Sequence, residues 1–192
     1  MKKSFVQMLE EAPPPMLIEP LDTLELQKDS QDYWNKNRSK FKPTDTENLY
    51  KSGDDHNGYF MFVVNDEVEY FVKFKDVRNI VGQKVTRQVL VHRNKSSFLS
   101  AGIPKIVFFD YLIPMFGGIV TDTQQTYNGK RFWEGATMDA LQHPEKYDVY
   151  IYKQNTKETV KIHSRYEMDQ NVKNIWGDSR LFEYILIAII QK

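Results

Sequence analysis

Residues 59–74 leave the chain few ways to fold. An apolar run at 59–64 meets the polar pair Asn65-Asp66, and apolar and polar residues then alternate from 67 to 74. Val68, Tyr70, Val72 and Phe74 share one face of that alternation, and Glu69 and Lys73 share the other. Two β-prone runs around a short polar turn predict a hairpin. Further strands are expected at 85–91, at 103–111 (IPKIVFFDY), at 118–121, at 149–152 and at 182–190, the last apolar throughout and so buried on both faces. Between them, residues 128–141 place Phe132, Ala136 and Ala140 at helical spacing, and His143-Pro144 stops that helix.

The segment before the hairpin reads differently. Phe5, Met8 and Leu9 make a short amphipathic turn, ended by Pro13-Pro14-Pro15. Residues 10–32 hold Glu10, Glu11, Glu19, Asp22, Glu25, Asp29 and Asp32 against a single base, Lys28. A second helix is expected to start at Asp29 or Ser30 as N-cap and to carry Tyr33, Trp34 and Asn37, with loop from 41 to 58. Residues 1–58 thus read as a helical, acidic arm and 59–192 as one α+β domain: a central, mixed, mostly antiparallel sheet flanked by helices.

Composition narrows the function classes. The 192 residues carry 26 Lys plus Arg and 26 Asp plus Glu, so bulk charge selects neither nucleic acid nor membrane. Cysteine is absent, which removes disulfides, thiolate nucleophiles and zinc–thiolate sites. Aromatic residues, at 14%, supply ample core material. The apolar run at 184–190 is far short of the ~20 residues that span a bilayer, and no secretory leader pattern follows Met1; a cytoplasmic location is expected, with no membrane partner.

Two stretches carry candidate chemistry. At 121–131 a polar loop opens a helix with Gly129, Lys130 and Arg131 in its first turn. A helix N-terminus presents unpaired amides and about half a positive charge, so this end is either an anion site or a solvated charged turn. At 77–109 there is no Asp or Glu, yet Arg78, Lys84, Arg87, Arg93, Lys95 and Lys105 are present. Parity along a regular strand puts Arg87 and Arg93 together and Lys84 and His92 on the other face. The acidic arm, a phosphate-bearing ligand and a nucleic-acid backbone are alternative partners for these charges. His56, His92, His143 and His163 show no metal-ligand spacing, and neither an HExxH nor a G-x-S-x-G pattern occurs.

The strand–loop–helix–strand unit at 116–153 resembles the GNAT N-acyltransferase superfamily. In that family a bulged strand leads into a loop and helix that hold the coenzyme A pyrophosphate. The following strand splays away, making a slot for the pantetheine arm. The resemblance implies a GNAT-like fold, an acetyl-CoA or other acyl-CoA cofactor and transfer of the acyl group to an amine. It implies cofactor contacts from Gly118 and Val120, from Gln125, Thr126, Asn128, Gly129, Lys130 and Arg131, and from Asn155 after the splayed strand at 149–152. The family's loop usually carries a second Gly or Ala, whereas 125–130 supplies one glycine. Tyr166 is the implied acid, and Asp110 and Glu134 are candidate bases acting through water. Residues 121–133 also resemble phage-encoded members of this superfamily. The alternative function is a non-catalytic phage or mobile-element protein that binds a host protein or nucleic acid.

Overall fold

The computed structural model describes residues 23–54, 56–80, 83–94, 97–121, 127–154, 156–176 and 185–192. The expected turn at Phe5–Leu9, the triple proline and most of the acidic segment lie outside them. The described chain divides into two compact units, residues 23–120 with Gln191 and residues 121–190 with Lys192.

The first unit begins with helix α1 (Thr23–Asn37). Ser30, expected to cap it, sits inside the helix and donates to the carbonyl of Gln27 (2.9 Å). After a single 3-10 turn come β1 (Lys42–Pro43) and β2 (Leu49–Gly53), where sequence reasoning expects loop. The hairpin follows as β3 (Asn57–Val64) and β4 (Glu67–Ile80), with β5 (Gln83–Arg93) antiparallel to β4. Asn65 and Asp66 both take positive φ (51° and 63°), as a two-residue turn matching strand twist requires. The sheet order is β1-β2-β3-β4-β5-β6, antiparallel except that β6 (Gly118–Val120) runs parallel to β5.

Both faces of this sheet are covered. On one, Trp34 and Phe41 pack with Met61, Val63, Val68 and Phe71, with Tyr33, Tyr50 and Tyr59 half-buried around them. Gln31 fixes the covering helix to the hairpin: its amide nitrogen donates to Asp66 O and its oxygen accepts from Val68 N, both at 2.9 Å. On the other face Phe60 meets Tyr111 (5.4 Å between ring centres) and Phe74 meets Phe116 (5.5 Å).

Tyr111 and Phe116 belong to a helix, and the strand expected at 103–111 does not form. Ile103–Ile106, Val107–Leu112 and Ile113–Phe116 run on as one helical stretch, α2. Its buried residues, Ile103, Val107, Phe108, Leu112, Ile113 and Phe116, fall at i, i+4, i+5, i+9, i+10 and i+13. That spacing makes one helical stripe and has no period of two. Pro114 has no N–H for the carbonyl four residues back, and the turn before it is widened, with Ile113 N donating to Phe108 O. Gly117, in the left-handed region (φ 78°), ends the stretch by donating to Ile113 O (2.7 Å).

In the second unit, α3 (Tyr127–Gln142) and β7 (Tyr147–Lys153) lie where the sequence puts them. A strand β8 (Thr159–Ile162) and a helix α4 (Arg165–Trp176) follow, then β9 (Ile185–Gln191), whose residues 185–190 are all buried as its apolarity demands. The strand order is β9-β7-β8, with β7 and β8 antiparallel. Thr121 is tied into this unit by two bonds to Ile187, its N donating to Ile187 O and its Oγ1 accepting from Ile187 N. The fold class is α+β with a mixed, mostly antiparallel sheet.

Candidate functional site

The residues singled out around 118–131 are divided between the units. Gly118 and Val120 are buried in β6 of the first. Gln125, Thr126 and Asn155 lie outside the described residues. Asn128, Gly129, Lys130 and Arg131 form the first turn of α3, with Asn128 and Arg131 exposed. Lys130 faces Glu134 one turn on (3.8 Å), so the candidate base Glu134 lies beside a cation on its own helix. Tyr166, the expected acid, is 73% exposed in the first turn of α4. Asp110 is exposed within the widened turn of α2, not at a strand end. The strand at 149–152, expected to splay, has β8 on one side and β9 on the other.

A bulged strand, a turn, a helix and a strand parallel to the first follow one another earlier in the chain. Lys73 pairs with Leu90 and Phe74 with Gln88, so Val89 is an extra residue in β5. Four residues later the chain turns through 97–102 into α2, and then returns as β6. The parallel pairing of β6 with β5 covers two positions, Thr86↔Ile119 and Arg87↔Val120. Among the described residues, 88–93 of β5 have strand partners in β4 alone. β6 ends at Val120 while β5 runs on to Arg93, so their shared edge stops at Arg87 and Val120, the base of a fork whose one described arm is 88–93 of β5.

The turn that leads into α2 is open on one side. Gly102 takes φ 84°, and a Cβ placed on it would meet nothing within 4 Å. Leu99 N donates to Ser97 Oγ, Ala101 N to Phe98 O and Ile103 N to Ser100 O, so those amides are engaged within the turn. Arg93 Nε donates to the buried Ser100 Oγ (3.2 Å), which holds an exposed guanidinium beside the turn. Phe98 and Leu99 are 89% and 57% exposed.

The extra residue also changes where the bases point. Arg93 opposes Tyr70, whose neighbours at 72 and 74 turn toward α2, while Arg87 opposes Lys75 on the α1 face. Even parity, which would put Arg87 and Arg93 together, is broken at Val89. A second bulge, between Phe62↔Tyr70 and Val63↔Val68, leaves Glu69 as the odd residue of β4; it is 3% exposed, and its Oε2 has no hydrogen-bond partner among the described residues. Neither bulge is signalled by residue type. No group of three or more His, Asp or Glu among the described residues could hold a metal ion. No protein-family model and no curated protein matches this chain.

Proposed function

We propose that the chain is a GNAT-like, acyl-CoA-dependent N-acyltransferase whose acyl donor lies in the fork between β5 and β6. The observation that carries this reading is the pairing of β6 with β5 at two positions among the described residues, directly before the extra residue at Val89. An edge of β5 that has no strand partner among the described residues offers backbone groups to an extended, amide-bearing chain such as pantetheine. The anionic end of the donor would lie over Gly102, where the backbone leaves open space, beside the Arg93 guanidinium. Gly118 and Val120 keep the cofactor-contact role the resemblance gives them, Val120 at the base of the fork and Gly118 two residues before it.

In the reaction the acceptor nitrogen attacks the thioester carbonyl. A C–N bond forms, the C–S bond breaks, the amine loses a proton and the thiolate gains one. Of the three residues proposed to move protons, Asp110 stands in the same unit as the fork. Calorimetric titration with acetyl-CoA tests the reading: a saturable, one-to-one binding isotherm supports it, and no heat at millimolar ligand ends it.

A second reading, a binding protein for a host protein or nucleic acid, is favoured by the exposed Phe98-Leu99 pair. Under that reading acetyl-CoA does not bind, and replacing both residues by Ser abolishes partner binding without changing the fold.

A further inference from the structure

We infer that the α1 face of the sheet, at the base of the β5–β6 fork, holds an oxyanion: the carboxylate or phosphate of an amine acceptor. Lys75 and Arg87 are directly opposed across β4 and β5, so their side chains leave the same face. Lys73, two residues along β4, shares that face, with its ammonium 5.7 Å from the ring centre of Tyr59. Like charges directly opposite one another destabilise a sheet unless something between them is negative.

Among the described residues no protein group fills that role. Among the described residues no ion pair joins Lys73, Lys75 or Arg87 to a carboxylate. Asp76, the next residue of β4, turns to the opposite face and pairs with His56 (2.8 Å). Arg87 is half-buried, and its Nε is shielded from solvent with no acceptor. A buried guanidinium N–H without a partner carries a desolvation cost that a bound oxyanion removes. Arg87 also has Val120 as its partner in β6, in the last pair before the strands part. An anion held there sits where the fork begins, which suits the acidic group of a molecule whose amine reaches toward the donor.

The acceptor role rests on the acyltransferase reading; the anion site itself does not. The test is calorimetric titration of the full chain at low salt with inorganic phosphate and with succinate, each with and without saturating acetyl-CoA. The expected result is one site per chain for at least one probe, retained in the presence of acetyl-CoA. Its Kd rises at least tenfold in Arg87→Gln and severalfold in Lys75→Gln, the latter an exposed position whose replacement leaves the core intact. The stronger of the two probes tells a phosphate-bearing acceptor from a carboxylate-bearing one. Equal affinity in wild type and Arg87→Gln, binding of neither probe, or displacement of the probe by acetyl-CoA overturns the proposal. Arg87-dependent probe binding in a chain that does not bind acetyl-CoA keeps the anion site and removes the transferase.

Discussion

Gly58 lies under the ring of Phe74. The two are register partners across β3 and β4, and a Cβ on Gly58 would strike the ring and the carbonyl oxygen of Ser52. Phe74 itself is fully buried, between Phe60 and Phe116. The ring therefore has no free direction in which to move. Gly58→Ala should destabilise the chain by about 1–3 kcal/mol, the usual cost of overfilling a packed site. Urea unfolding of the variant measures this, and an unchanged midpoint would mean that the aromatic layer is loose.

At Gly102 the same substitution separates folding from binding. A methyl group there meets no protein atom, so the stability cost comes from the left-handed backbone alone, about 1 kcal/mol. If the donor's anionic end lies over this residue, Gly102→Ala also weakens acetyl-CoA binding, by tenfold or more, at temperatures where the variant is fully folded. Calorimetry on the variant reads the binding loss, and thermal unfolding reads the stability. A stability loss with unaltered affinity would move the ligand away from this turn.

The hairpin was legible because its signals are local: alternation, β-prone residues and an Asn-Asp turn. The stretch at 103–116 was not, because IPKIVFFDY is as apolar as a buried strand and short apolar runs do not distinguish the two states. The deciding facts lie outside that run, in the continuing stripe of Leu112, Ile113 and Phe116 and the stop at Gly117. Bulges were the other loss. Nothing in the residue types at 69 or 89 marks an extra residue, since register is set by what each partner strand presents.

Asp148 gives the second unit a specific acid sensitivity. Burial pushes its carboxyl upward, but Lys161 (2.9 Å) and Lys192 (3.2 Å) outweigh that and hold it below the usual aspartate range. A depressed folded-state value means that the stabilisation is complete above the unfolded pKa and is lost as pH falls through the folded one. Asp148→Asn should therefore be less stable than wild type at pH 7, with the gap closing as the pH drops below about 4, near the ordinary aspartate value. Melting curves of both proteins from pH 7 to pH 3 check this; a gap that does not depend on pH would assign the loss to packing.

Tyr111 gives a measure of how firmly α2 is held on the sheet. Its hydroxyl lies 2.8 Å from Thr46 Oγ1 and accepts from Thr46 N (3.1 Å), in the loop before β2. Removing it leaves the ring against Phe60 in place and takes away both bonds. Tyr111→Phe should cost about 1–2 kcal/mol, the range for two part-buried neutral hydrogen bonds, and should leave the circular dichroism spectrum unchanged. A neutral effect in urea unfolding would show that water replaces the hydroxyl at Thr46.

Deleting Val89 tests the link between the bulge and everything placed by it. A one-residue change in a strand moves every side chain beyond it to the other face. Without the extra residue, either Val91 and Arg93 exchange faces with His92, or Val85 and Arg87 exchange faces with Thr86. His92, Val85 and Thr86 are all buried, at 3%, 0% and 1% exposure, so either outcome drives a mismatched group into a packed layer. The deletion should lower the melting temperature by more than 10 °C, the shift corresponding to several kcal/mol in a chain of this size. In the fraction that still folds, binding of acetyl-CoA and of the stronger anion probe, phosphate or succinate, should both fail. A deletion variant with wild-type stability and intact ligand binding would mean that β5 is regular in solution and that the fork owes nothing to Val89.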